Sequence, residues 1–187
     1  MMIKNFPEQI SGPRLKLIKH DPSKVDLLAP IMFSTIDIDR DRLKVFLPWV
    51  NATKTVDDSK AYIQFTHEKW AQGEMFDYGM YVNDLFIGCV GFHHVNWTHE
   101  CLELGCWLSK DFEGKGYLSE AIKLLEGEAF KLGFNRIEIR CSNKNFRSVE
   151  MAKGNQYILD GTLRQNAIEH GQFRDTHIFS KCKSDLL

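Results

Sequence analysis

The chain has 187 residues, long enough to bury a core and short enough to form one domain. With 43% apolar and 26% charged residues and a formal net charge of −1, it matches a globular protein and lacks a broad basic footprint for nucleic acid. No run of about 18 apolar residues offers a membrane span, and the opening MMIKNFPEQI lacks the apolar stretch of a leader peptide.

In chain order, RLKLIK (Arg14 to Lys19) alternates with period two and predicts a first strand. Asp21-Pro22-Ser23 supplies a helix start, and a helical region follows to about Phe46. Pro30 and the polar run DIDRDR are expected to interrupt it, and Pro48 in FLPWV to end it. Thr55 suits an N-cap, with Asp57 and Asp58 where the helix dipole favours carboxylates, and this helix should stop at Gly73. MFDYGMYV and LFIGCVGFHHV are two strands joined by a tight turn at Asn83-Asp84. CLELGCWLS (Cys101 to Ser109) is a third. Leu118, Ile122, Leu125, Ala129 and Leu132 then recur at spacings of four and three, which gives a helix with one apolar face and Gly133 just past its end. RIEIRCS (Arg136 to Ser142) alternates, and Phe146 to about Lys153 is a short helix. YILDGTLRQNAI and QFRDTHIFSK close the chain as two strands around His170-Gly171. The order predicts a single α+β domain over residues 1–187, with a right-handed parallel crossover from Leu102 to Cys141.

The stretch DFEGKGYLSEAI places two glycines at the mouth of the most regular helix. A helix start leaves backbone N–H groups unpaired at the positive end of its dipole, and glycine lets an anion approach them. Gly114, Lys115, Gly116, Tyr117, Leu118 and Ser119 are therefore a candidate phosphate cradle, with Lys115 adding a cation; a plain tight turn is the competing reading. Neither G-x-x-x-x-G-K-[ST] nor G-x-G-x-x-G after a strand is present, which argues against a P-loop or a dinucleotide fold. The five cysteines form no C-x-x-C pair and suit a reducing cytoplasm; Cys106 is a nucleophile candidate only against the commoner role of core filler. His93, His94 and His99 show no metal-ligand spacing, so no metal is expected.

The ordered set GCWL (Gly105 to Leu108), GKGY (Gly114 to Tyr117), LGFNRI (Leu132 to Ile137) and Asn145 with Ser148 resembles the GNAT N-acetyltransferases. Within them it is most similar to the branch that acetylates ribosomal-protein N-termini, and FLPWV and FRDTHIFS stand where that branch has similar segments. The resemblance covers most of the chain and is densest from Cys101 to Tyr157. It implies a mixed, mostly antiparallel sheet with a central splayed parallel strand pair, flanking helices, and acetyl-CoA in the gap. It assigns the pyrophosphate to Glu113, Gly114, Lys115, Gly116, Tyr117 and Leu118, with Ser119 in the first helical turn. It gives the pantetheine arm to the backbone of Trp107, Leu108 and Ser109, and a further cofactor contact to Asn145. Three positions depart from the pattern. Glu113 replaces Gln or Arg and is expected to point away from the phosphates, Leu118 replaces Gly or Ala, and Gln156 stands where Gly is common.

Acetyl transfer to an amine needs a proton acceptor for the amine and a donor for the leaving thiolate. Glu103, the one acid in CLELGCWL, shares a strand face with Cys101, Gly105 and Trp107 and is the candidate base; a solvated or salt-bridged face is the alternative. By resemblance Ser148 is the candidate thiolate donor, against a capping hydroxyl, with Tyr157 the alternative acid. Trp49 and Phe46 wall the acceptor pocket or belong to the core. The favoured acceptor is a protein N-terminal amine in the cytoplasm, and a homodimer is admitted. A small amine such as a polyamine or aminoglycoside, and a non-catalytic acyl-CoA-binding module, are the alternatives.

Overall fold

The computed structural model describes residues 5–186; the first four residues of MMIKNFPEQI lie outside them. One eight-stranded sheet runs through the described residues. Its first hairpin pairs β1 (Gln9–Ser11) with β2 (Lys16–Lys19). Three residues are too few for an alternation to show, so β1 escapes a reading by period.

Asp21 accepts from the Ser23 N–H and opens a short 3₁₀ turn, Pro22–Lys24, that feeds α1 (Val25–Ile38). Pro30 does not interrupt α1, contrary to expectation. The proline costs one backbone bond, but Ala29, Met32 and Ile36 bury the same helix on either side of it. The break comes at Asp39, and α2 (Arg40–Leu43) follows. Pro48 opens a second 3₁₀ turn, Pro48–Asn51. Then α3 (Val56–Gln72) starts on a capping box in which Thr55 and Asp58 satisfy each other's backbone N–H groups. It ends at Gly73 with φ 71°, a left-handed position that glycine takes without a Cβ clash.

The central strands β3 (Phe76–Val82) and β4 (Leu85–Asn96) turn at Asn83 and Asp84, both with positive φ as a type I′ turn requires. After β5 (Cys101–Leu108) come α4 (Tyr117–Lys131), β6 (Arg136–Ser142), α5 (Phe146–Gly154), β7 (Ile158–Glu169) and β8 (Gln172–Cys182). The strand order is β1-β2-β3-β4-β5-β6-β8-β7, antiparallel except for β5 beside β6.

Alternation divides the core. Leu102, Leu104 and Leu108 of β5 face α4, whose Ala121, Ile122, Leu125 and Ala129 are fully buried. Trp107 and Cys89 face the other way, into a second cluster with Ala29, Met32, Ile36 and Ile63 of α1 and α3. Glu126 also lies on the buried side of α4, where a purely apolar face was expected. Lys181 of β8 donates to both its carboxylate oxygens, at 2.9 and 2.8 Å, and the pair is nearly sealed from water.

Candidate active site

The parallel strands part early. β5 and β6 are in register only at Cys101–Arg136, Leu102–Ile137 and Glu103–Glu138. Beyond them a cavity of about 890 Å³ opens between Cys106, Trp107 and Leu108 of β5 and the segment Lys144 to Met151 that starts α5. Its end is the glycine loop. Gly114 and Gly116 have φ of 71° and 79°, and Gly116 is the N-cap of α4, whose first turn receives no side-chain cap. The helix start is thus open to an anion, as its dipole favours.

Of the positions read as cofactor contacts, Trp107, Leu108, Glu113, Gly114, Gly116, Tyr117, Leu118, Ser119 and Asn145 line this cavity. Ser109 and Lys115 do not. Ser109 turns its N–H to the Ile87 carbonyl at 2.8 Å. The Lys115 ammonium lies over the Phe112 ring, 5.3 Å from its centre, while its carbonyl accepts from Arg14. The cations on the cavity wall are instead Arg42, Lys144 and Arg147.

Glu113, expected to point away from the phosphates, lines the cavity. Its carboxylate accepts from Arg42 Nη1 at 2.8 Å and pairs with Arg147 at 3.2 Å, so two guanidinium groups offset its charge. Arg42 also donates to Asp39 (2.8 Å) and to the Leu108 carbonyl (2.7 Å). Burial works against the Asp39 carboxylate. The Lys110 N–H at 2.6 Å and the Arg42 guanidinium outweigh it and hold the carboxyl below its ordinary range. Through Asp39 and Arg42 the polar run DIDRDR thus ties the glycine loop and the end of β5 to the α1–α2 region.

A second cavity of about 640 Å³ lies under α1 and α3 and shares Leu47, Cys106 and Trp107 with the first. Trp49, Tyr62, Phe65, Met32 and Met75 make it mostly apolar. Phe46, expected beside Trp49, lines the larger cavity instead. The floor is polar. Buried Asp77 accepts from His20 Nε2 at 3.1 Å and from the Tyr62 hydroxyl at 3.0 Å. Sequence reading missed this group, because its members are 57 and 15 residues apart. His20, Asp77 and Cys89 bring ligand-type atoms within 4.8 Å of one another. Their hydrogen bonds account for the arrangement: Asp77 Oδ2 already takes two donors, and burial pushes the Cys89 thiol well up, so it keeps its proton.

Ser148 lies in the first turn of α5 and lines the first cavity; its N–H donates to Asn145 Oδ1 at 3.2 Å, so Asn145 is the cap. Glu103 lines neither cavity. It pairs with His94 at 3.0 Å and Arg140 at 3.6 Å, on the same face as Gly105 and Trp107. Tyr157 is buried against Lys181, 4.8 Å from its ring centre, and lines neither cavity. Cys106 lies where the cavities meet, but burial pushes its thiol up to about 12, which leaves it protonated near neutral pH and unfit as a nucleophile.

Two chambers thus meet at a parted parallel strand pair, and one of them ends on an open helix start. A family model described as an acetyltransferase (GNAT) domain matches residues 14–156. The chain belongs to the GNAT acetyltransferase family. Among curated relatives, the ribosomal-protein-serine acetyltransferase of Escherichia coli (strain K12) is 22% identical over 151 residues, covering 80% of this chain and 84% of that protein. An uncharacterized N-acetyltransferase, p20, of Bacillus licheniformis is 28% identical over 142 residues, 73% and 80% of the two chains. Among solved structures, RimL, a ribosomal L7/L12 alpha-N-protein acetyltransferase in complex with coenzyme A, has a TM-score of 0.86 at 21% identity over 94% of this chain and 98% of that one. The microcin C7 self-immunity acetyltransferase MccE, in complex with acetyl-CoA and AMP, has a TM-score of 0.85 at 22% identity, over 91% and 93%. The fold is therefore the GNAT fold, and the splayed pair expected from the resemblance is β5 and β6.

Proposed function

We propose that this GNAT acetyltransferase moves the acetyl group of acetyl-CoA to the N-terminal α-amine of a protein in the cytoplasm, a ribosomal protein foremost. The observation that carries the reading is the meeting of the two cavities at Cys106 and Trp107. The larger one takes the cofactor: its pyrophosphate on the start of α4, its phosphates near Arg42, Lys144 and Arg147, its pantetheine arm along Trp107 and Leu108. The smaller one takes the acceptor, so amine and thioester come together at β5. Binding both in one place converts a bimolecular step into a local one.

Ser148, on the wall of the cofactor cavity, donates its hydroxyl hydrogen to the leaving thiolate. Glu103, outside the cavities, receives the amine's proton through an intervening group or water and passes it to solvent. The similarity to the E. coli ribosomal-protein-serine enzyme supports a protein N-terminus as acceptor. The depth and aromatic walls of the acceptor cavity favour a second reading, a small amine with an apolar body.

Thiol release from acetyl-CoA separates the two. Peptides beginning with Ser or Ala, the same peptides with blocked N-termini, and small amines such as spermidine and kanamycin form the panel. Turnover on free but not blocked peptides is expected. Turnover confined to the small amines would transfer the assignment to them.

A further inference from the structure

On the reading above, the acceptor amine must shed a proton, and the expected base lies outside its chamber. We propose that His93 is the general base that meets the acceptor amine, with Asp77 as its positioning residue. His93 lies on β4, opposite Glu103 and diagonal to Gly105 of β5. A Cβ at Gly105 would come 3.0 Å from both Cδ2 and Nε2 of His93, so the imidazole occupies the space that the missing side chain leaves. There it lines the acceptor cavity beside Cys106 and Trp107, the two β5 residues shared with the cofactor cavity.

Asp77 stands beside it on β3, on the Nε2 side of the ring and at charge-contact distance. Its Oδ2 is taken by His20 and Tyr62, while its Oδ1 lies 4.0 Å from His93 Nε2. Gly91, opposite Asp77, makes room for this carboxylate: a Cβ there would fall 2.6 Å from Oδ1. Two glycines on adjacent strands thus admit the pair. The charged groups that face His93 are Asp77 from β3 and Glu103 from β5, the latter with His94 and Arg140. From α3 comes the Tyr62 phenol, which burial beside Asp77 keeps un-ionised. Imidazole is the side chain whose ordinary titration range lies nearest neutral pH, which suits a base for an amine.

The acceptor arrives as an ammonium ion. The His93 imidazole takes one N–H proton and releases it to solvent along the Glu103 rim, while the Asp77 carboxylate, 4.0 Å from Nε2, stabilises the imidazolium in between. The freed nitrogen lone pair forms the N–C bond to the thioester carbonyl carbon as the C–S bond breaks. A second N–H proton ends on the CoA thiol by way of Ser148. The products are the acetamide, the thiol and one proton in solvent.

The test is thiol release by wild type, His93→Gln, Asp77→Asn and Gly105→Ala with acetyl-CoA and the peptide and amine panel, over about pH 5.5 to 9.5. In His93→Gln, kcat should fall about 10²- to 10⁴-fold and the acidic limb of the pH profile should vanish, with acetyl-CoA affinity by calorimetry unchanged. Asp77→Asn should lower kcat less and move the acidic limb to lower pH, because the imidazolium loses its counter-charge. Gly105→Ala, which displaces the imidazole but keeps both groups, should also lower kcat. A His93→Gln enzyme with kcat within about threefold of wild type and its acidic limb intact overturns the assignment. If wild type acetylates no member of the panel, the acceptor-class reading has failed. The base is then judged on acetyl-CoA hydrolysis, where water takes the amine's place: a slower rate in His93→Gln supports it and equal rates overturn it.

Discussion

Gln156 follows α5 with φ 65°, in the left-handed region, and its N–H bonds the Lys153 carbonyl. A residue with a Cβ is disfavoured there by roughly 1 kcal/mol, and glycine is not. The turn that the substitution put in question keeps the geometry glycine would give it. Gln156→Gly should therefore raise stability, by up to about 0.6 kcal/mol after glycine's larger unfolded-state entropy of about 0.4–1 kcal/mol is subtracted. A urea titration checks it; a lower midpoint would show that the Gln side chain does more than fill a turn.

Asp39 is the other residue whose local chemistry reaches the site. Its folded carboxyl titrates below the ordinary value, held by the Lys110 N–H and Arg42. For such a depressed group, the stabilisation is present above the unfolded value of about 3.9 and is lost as pH falls through the lower folded value. Asp39→Asn should thus be less stable than wild type at neutral pH, and the gap should close below about pH 4. Paired thermal melts at neutral and acid pH measure this. A gap that persists in acid would mean that packing, not the charge, is what the substitution removes.

At the scale of elements, α4 and β8 are locked by Glu126 and Lys181. The pair is 55 residues apart in sequence and nearly sealed from water. Removing one member strands a buried charge, which costs about 3–5 kcal/mol, whereas replacing both with apolar side chains of similar size is often neutral or better. Lys181→Met should therefore lower the urea midpoint sharply, and adding Glu126→Leu should restore most of it. A double variant as unstable as the single one would contradict this. Period-based reading could not find the pair. In the helix pattern, Glu126 is one polar residue beside an apolar stripe, and nothing local says that a lysine on the last strand meets it.

Across the whole molecule, local features are written in the sequence and long-range ones are not. Thr55 with Asp58, Gly73, Asn83-Asp84 and the α4 stripe are local signals, and each stands where it was expected. The glycine loop was legible because two positive-φ residues and a helix start are consecutive in the chain. The cations of the larger cavity were not, because Arg42 reaches it across 71 residues from α2 and Arg147 from α5. Neither was the floor of the smaller cavity, where Asp77, His20 and Tyr62 meet. Long-range polar pairs leave no period behind them.

What the molecule does depends on the larger cavity being the seat of acetyl-CoA, with its pyrophosphate on the start of α4. Isothermal titration with acetyl-CoA, on wild type and on Gly116→Val, addresses that directly. Gly116 has φ 79°, where a branched residue is strained, and a Cβ there would meet Arg14 Nη2 at 3.3 Å, so the substitution reshapes the loop that forms the helix start. One saturable site per chain is predicted for wild type, with affinity at least about tenfold weaker in the variant, a change of about 1.4 kcal/mol. No binding to wild type, or unchanged affinity in a folded Gly116→Val, would contradict the account.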